Sequence, residues 1–221
     1  MKKKVAVAMS GGVDSSLTAA LLIEQGYDVI GVTMTLSDES REAGGSTAVS
    51  DAKKVADALN IPHYVVNYHK KFKDDVIKYF ISEYAKGRTP NPCVRCNNTV
   101  KFGSLLKDCL ELGADCVATG HYARIEQDEK TGRYLLKKGL DVRKDQSYVL
   151  YTLTQDVLKH FMLPLGNYSK EKTRELAGKM NLPVANKPES QEICFIPNDD
   201  YKAYLKAKAP HILKPGDIVD V

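Results

Sequence analysis

The segment Ser10-Gly11-Gly12-Val13-Asp14-Ser15-Ser16 sets two glycines and three hydroxyls between an apolar run, Lys4 to Ala8, and a helix-periodic stretch that begins at Asp14. A helix start presents unpaired backbone N–H groups and a positive dipole end, and glycine lets an anion approach the backbone closely, so the segment reads as a pyrophosphate-binding loop. It has no lysine of the Walker type. The plain alternative is a glycine-serine turn with Asp14 as a helix cap. A second cluster of reactive types is Cys93-Val94-Arg95-Cys96. With five cysteines in the chain and no evenly spaced framework, this pair points to metal or redox chemistry rather than a structural disulfide. Cys109 and Cys116 stand in apolar helix-like and strand-like contexts and read as core packing.

The elements that must position these residues follow from hydrophobic periodicity. Strands are expected at Lys4 to Ala8, Asp28 to Leu36, His63 to Asn67 and Asp115 to Thr119. Helices are expected at Asp14 to Gln25, Ser50 to Leu59, Phe72 to Tyr84 and Lys101 to Leu112. This alternation implies an α/β fold, a doubly wound, mostly parallel sheet with helices on both faces and ligands at the carboxyl ends of its strands. Two aperiodic stretches, Ser37 to Ser46 and Lys86 to Asn98, are long enough to be functional loops, the second carrying the cysteine pair. A hairpin is expected from Ala123 to Lys137, turning at Glu129 to Gly132. The pattern then becomes mostly helical, with a helix from a Ser169 cap to about Met180; Lys172 stands where a full capping box would have an acid or amide.

At 221 residues, 43% of them hydrophobic, the chain can bury the core of one full α/β domain with an appendage. A net charge of +4 permits a polyanionic partner without requiring one. No apolar run of membrane length occurs, and the apolar part of the amino terminus is too short for a signal peptide, which implies a cytoplasmic protein without a membrane partner.

The phosphate loop resembles the signature of the PP-loop ATP pyrophosphatases, which cleave ATP between the α and β phosphates and transfer AMP to a carbonyl oxygen. The resemblance implies that Ala8, Met9, Ser10, Gly11, Gly12, Val13, Asp14 and Ser15 wrap the phosphates of ATP, bound with Mg2+. Met34 and Gly120, the latter in Thr119-Gly120-His121-Tyr122, would contact adenine; simple strand packing is the alternative for Met34. Together with Asn91-Pro92-Cys93-Val94-Arg95-Cys96-Asn97 on its loop, Lys144-Asp145-Gln146-Ser147-Tyr148 and Ser190-Gln191-Glu192-Ile193-Cys194, these motifs are similar to those of the tRNA-specific 2-thiouridylases, the MnmA/TrmU family. That family adenylates the C2 oxygen of a wobble uridine and replaces it with sulfur. In its two-cysteine form the residue matching Cys194 carries a persulfide and the one matching Cys96 attacks it. Arg95 is a candidate for depressing the Cys96 pKa, and equally a phosphate contact or a solvated charge.

One departure concerns Cys93, where the usual motif has aspartate. Cys93, Cys96 and Cys194 are therefore candidate ligands of a [4Fe-4S] cluster whose open iron would present sulfide to the activated base. Persulfide chemistry with Cys93 as bystander, and accidental placement of Cys93, are the alternatives. The sulfur donor would be a persulfide carrier, a cysteine desulfurase or free sulfide. The uridine must be splayed from its loop. By resemblance Asn91, Pro92 and Cys93 lie beside the target base, Lys144, Asp145 and Gln146 touch tRNA, and His121 lies near the nucleotide, as a structural or a catalytic histidine. Lys70, Lys71, Lys73, Lys170, Lys172 and Arg174 are either phosphate contacts or solvated charges.

A catalytic domain at 1–163, a helical tRNA-binding region at 164–213 and the start of a β domain at 214–221 are expected. Family members usually continue into small β domains, so the expectation is either a fragment or a naturally short form. Gly44 to Thr47 also lacks the cysteine and acidic residues common in the family at that place.

Overall fold

The computed structural model describes residues 2–36, 48–189 and 193–212. The expectations placed on Ser37 to Thr47, on Ser190 to Glu192 and on the segment 214–221 lie outside the described residues.

The alternation of strand and helix produces a five-stranded sheet. Its strands are β1 (Lys4–Ala8), β2 (Asp28–Thr35), β3 (His63–Asn67), β4 (Cys116–Ala118) and a short β7 (Phe161–Met162), in the order β3-β2-β1-β4-β7. Every pairing in it is parallel, with Lys4 opposite Asp28 and Ala8 opposite Val32 on one side of β1, and Val7 opposite Ala118 on the other. Val5, Ala6 and Val7 are fully buried, as a central strand covered on both faces requires. The strand order reverses at β1, so the crevice at the carboxyl ends of β1 and β4 is the natural ligand position.

Helix α1 (Val13–Glu24) ends where Gly26, at φ +86°, takes the left-handed conformation and Tyr27 N–H bonds back to Leu22 O at 3.1 Å. Helix α2 (Ala48–Ala58) lies beside α1 on the same face of the sheet, where Ala19, Leu22, Ala52 and Val55 meet Val5 and Val7. The other face is covered by two longer helices. Residues 69–85 form α3, with a π-type stretch at Lys73–Ile77. Residues 92–111 form α4, with a π-type stretch at Asn97–Ser104. Phe72, Phe80, Phe102 and Leu105 from these helices fill the core with Ala6, Val32 and Val117. Cys109 and Cys116 are buried in the protein, as expected of core thiols.

Helix α4 corrects one expectation. Pro92 to Cys96 is the first turn of a helix rather than part of a loop. The Asn91 carboxamide oxygen accepts from Cys93 N at 3.0 Å and Val94 N at 3.3 Å, and Pro92 occupies the first helical position, where a missing N–H costs nothing.

The antiparallel hairpin β5 (Ala123–Gln127) and β6 (Tyr134–Lys138) forms as expected. A short helix, α5 (Gln155–Leu158), precedes β7. Helix α6 (Lys170–Lys179) is capped by Ser169, whose Oγ accepts from Lys172 N at 3.1 Å. It packs its Ala177 against Leu17 and Leu21 of α1. Helix α7 (Tyr201–Lys208) adds Tyr204 and Leu205 to the core under α3.

Candidate functional site

The phosphate loop runs from the end of β1 into α1. Ser15 Oγ accepts from Ser10 N at 3.1 Å and donates to Gly12 O at 3.2 Å, while Ser16 Oγ donates to the same carbonyl at 2.8 Å. These bonds fold the loop over the first turn. Gly12 is the N-cap and supplies no side chain, so no side chain caps the N–H groups at the α1 start. Asp14 therefore does not act as the helix cap; it lies inside the helix. Gly11 is required twice over: its φ is +70°, and a Cβ there would stand 2.5 Å from Ala48 O at the start of α2. Gly120, after β4, comes so close that a Cβ would lie 2.9 Å from Asp14 C and Ser15 N. The two loops of the switch point thus touch through glycine backbone.

Met9 is buried with its sulfur against Gly31, so only its backbone is available to a ligand. Val13 is likewise buried. Ala8 and Met34 are partly buried and pack on the α3/α4 face of the sheet.

Asp14 is held by two groups from distant sequence. Lys170 Nζ lies 2.6 Å from Asp14 Oδ1, and the Tyr122 hydroxyl donates to the same oxygen at 2.9 Å. Lys170 also pairs with Glu189, which pairs in turn with Lys144 at 2.8 Å. Burial opposes ionisation of Glu189, but the hydrogen bonds and charges of Lys144 and Lys170 outweigh it and pull its pKa down to about 2. A second lysine, Lys187, donates to Gly11 O at 3.0 Å and to Asp51 Oδ2 at 2.6 Å.

At the other end of the site, α4 carries Cys93 exposed and Cys96 buried, one turn apart. Cys194 is brought to them by Phe195, whose ring meets Phe72, Phe80 and Tyr204 edge-on at 5.6, 5.4 and 5.6 Å. The three thiols feel one another electrostatically. Burial raises the Cys96 pKa above its usual value, with Lys101 opposing and Cys93 adding to the rise. Cys194 is exposed as a residue, yet protein crowds its sulfur; desolvation first, then Cys96 and Cys93, push it up to about 12. Arg95 does not activate Cys96. Its Nε donates to Asp75 O at 3.2 Å and its guanidinium lies 5.5 Å from the Tyr79 ring centre, on the side of α4 facing α3.

His121 receives or gives a hydrogen bond at Thr119 Oγ1, 2.8 Å from its Nδ1, and tilts against Phe102. Desolvation, then Lys101, lowers its pKa to about 3, so it is neutral at physiological pH. Gln146 Oε1 accepts from Tyr122 N at 3.0 Å, and Asp145 accepts from Gly139 N at 2.9 Å and Ser147 Oγ at 2.8 Å. The side chains of 144–146 are thus engaged within the protein, Lys144 with Glu189, Asp145 with Gly139 and Ser147, and Gln146 with Tyr122. Of the other basic residues, Lys170 is buried, Lys172 pairs with Glu175, and Arg174 donates to Ala185 O and Lys187 O. Lys71 pairs with Asp75.

A [4Fe-4S] cluster needs its thiolates directed at one point. Among the described residues no three His, Cys, Asp or Glu side chains are arranged to hold a metal ion. Cys93, Cys96 and Cys194 lie within electrostatic reach of one another. Sequence reading missed Lys187 and Glu189 entirely; nothing near either residue marks it as part of a nucleotide site.

The profile of the tRNA methyl transferase HUP domain matches residues 3–198. The chain is 57% identical over 229 aligned positions to the tRNA-specific 2-thiouridylase MnmA 1 of Caldanaerobacter subterraneus subsp. tengcongensis, covering 100% of this chain and 63% of that protein. It is 52% identical over 226 positions to the tRNA-specific 2-thiouridylase MnmA of Clostridioides difficile, again covering 100% of this chain and 63% of the relative. The chain thus spans about 63% of the length of these relatives. Among solved structures it is similar to the U34-tRNA thiolase NcsA of Methanococcus maripaludis with its [4Fe-4S] cluster, at TM-score 0.54 and 20% identity, covering 96% of this chain and 69% of that one. A 4-thiouridine synthetase in complex with RNA and ATP gives TM-score 0.54 at 18% identity, covering 95% and 51%. These two likenesses show a shared fold. The chain belongs to the family of the tRNA methyl transferase HUP domain.

Proposed function

We propose that this chain binds ATP at Ala8 to Ser15, adenylates the C2 oxygen of uridine 34 in tRNA, and directs sulfur to C2 through Cys194 and Cys96 in the cytoplasm. The observation that carries the reading is the placement of Cys96 and Cys194 within electrostatic reach of each other, one buried and one exposed. The family relatives named as 2-thiouridylases support the substrate.

The phosphate loop holds the pyrophosphate half of ATP, with Mg2+ travelling as its counter-ion, and Met34 and Gly120 border adenine. The uridine O2 attacks the α phosphate and pyrophosphate leaves. Cys194 receives a sulfane sulfur from a persulfide donor and becomes R–S–SH. Cys96, as thiolate, attacks the inner sulfur; a Cys96–Cys194 disulfide forms and hydrosulfide departs. Hydrosulfide adds at C2 and AMP leaves with the former O2. A dithiol reductant then restores both cysteines. The raised thiol pKa values keep Cys96 and Cys194 protonated at rest, so the attack waits on a proton acceptor at the sulfur. Asn91, Pro92 and Cys93 border the base, and Lys144 to Gln146 support the tRNA-facing surface around Tyr122.

A cluster-based route has in its favour Cys93 itself, and the fold neighbour NcsA is a U34-tRNA thiolase with a [4Fe-4S] cluster. The relay from Cys194 to Cys96 involves no cluster. Incubating the chain with unmodified tRNA, ATP, Mg2+ and a persulfide donor, followed by nucleoside mass spectrometry, tests the proposal. It expects 2-thiouridine, pyrophosphate and AMP in equal amounts; tRNA that gains no sulfur while wild-type protein binds ATP refutes the thiolation.

A further inference from the structure

The phosphate loop contains no lysine, yet the structure carries two lysines to it from the far end of the chain. They differ in what they have left to offer. Lys170 is 9% exposed at its side chain, lies between the carboxylates of Asp14 and Glu189, and sits 5.6 Å from the Tyr122 ring centre. Its charge is spent inside the protein. The Lys187 side chain is 35% exposed and, among the described residues, meets one carboxylate, Asp51, which Lys54 also approaches at 3.5 Å.

An ammonium has three donors. At Lys187 one goes to Gly11 O and one to Asp51 Oδ2, which fixes the nitrogen at the loop and, among the described residues, leaves the third for a ligand. Gly11 is the residue whose backbone turns into the uncapped start of α1, so the third donor joins the N–H groups there. Its direction of approach also matters. Asp51 belongs to α2, which covers one face of the sheet, while Ala8 and Met34 pack on the opposite face. Adenine beside Met34 and an ammonium beside α2 put the lysine toward the phosphate end of the nucleotide.

We infer that Lys187 is a substrate-binding residue that contacts the β and γ phosphates of ATP and stabilises the departing pyrophosphate, supplying from the chain's distal part the cation its phosphate loop lacks. The inference rests on the ATP-site reading above. A charge-assisted hydrogen bond at this position would be lost without altering the contacts to adenosine or the α phosphate.

Binding of ATP and of AMP to wild type, Lys187→Met and Lys187→Arg, measured by calorimetry, tests it. Lys187→Met is expected to weaken ATP about 10- to 100-fold, with AMP unchanged and Lys187→Arg recovering part of the loss. Equal losses for ATP and AMP, or none for either, would overturn the inference, because a lysine that merely shapes the loop does not distinguish them. Wild-type protein that fails to bind ATP refutes the site reading instead. A measurement without substitution guards against a misfolded variant: amine acetylation of the wild type followed by peptide mass spectrometry. ATP and inorganic pyrophosphate should protect Lys187 while AMP does not; labelling that ATP leaves untouched would count against the contact.

Discussion

Lys170 Nζ stands 2.6 Å from Asp14 Oδ1, joining residues 156 positions apart and fastening α6 to the first turn of α1. The contact lies among Tyr122, Thr173 and Glu189, so the start of the helix that bears the phosphate loop is held by groups from three later segments. Replacing Lys170 by Met leaves Asp14 and Glu189 as partly enclosed carboxylates without their shared cation. Loss of one partner from a buried pair costs about 3 kcal/mol, which for a chain of this size lowers Tm by about 6–12 °C. Differential scanning calorimetry at neutral pH measures it; a Tm within about 2 °C of wild type would show that the pair contributes little.

Glu189 gives this network a pH signature. Its carboxyl is held at about 2 in the folded chain against 4.5 ordinarily, so the unfolded state takes up the proton first as pH falls. The stability it contributes is complete above pH 4.5 and disappears as pH drops toward 2. Urea midpoints for wild type and Glu189→Gln should therefore be furthest apart above pH 4.5 and converge toward pH 2. A gap that stays constant across that window would mean that the Lys144 and Lys170 contacts do not set the titration.

The sheet and the phosphate loop were legible because their signals are local: apolar runs of strand length, a glycine-rich turn and a periodic helix after it. The first turn of α4 was missed, because the prolines and lack of periodicity argued for a loop, although Asn91 caps the helix and Pro92 takes its first position. β7 spans only Phe161–Met162, too short for any alternation to show. Arg95 read equally as a Cys96 activator, a phosphate contact or a solvated charge; helix geometry sends neighbouring side chains in different directions, and Arg95 goes to Asp75 and Tyr79. Lys187 and Glu189 act across 176 and 45 positions to Gly11 and Lys144, distances at which spacing carries no signal.

Gly120→Ala tests the packing of the two switch-point loops. The added methyl would fall 2.9 Å from the backbone at Asp14 and Ser15, atoms that cannot rotate away, so α1 must shift at its start. Overpacking of this kind costs about 1–3 kcal/mol, and because the displaced N–H groups are those offered to phosphate, ATP affinity should fall by about tenfold or more. Gly178→Ala is the control, since a Cβ there meets nothing within 4 Å. Unchanged ATP binding in Gly120→Ala would separate the α1 start from the nucleotide site.

The cysteines yield the most discriminating substitution. Cys93 is exposed on the first turn of α4 and has no part in the sulfur relay proposed for Cys194 and Cys96. Cys93→Asp should therefore retain tRNA thiolation when a persulfide donor is supplied, any loss staying within the roughly tenfold that one contact to the base is worth. Cys96→Ser and Cys194→Ser should both drop to background. If three thiolates instead held a cluster, Cys93→Asp would fall with the other two, and iron would be lost from the anaerobically purified protein. The resting thiols supply an independent check. Because burial raises both, Cys194 to about 12, their thiolate fraction is small at neutral pH and grows about tenfold per pH unit. Alkylation of Cys194 by iodoacetamide should still be accelerating at pH 10; a rate that levels off near neutrality would identify a thiol activated at rest, and the proton acceptor required by the relay would then be unnecessary.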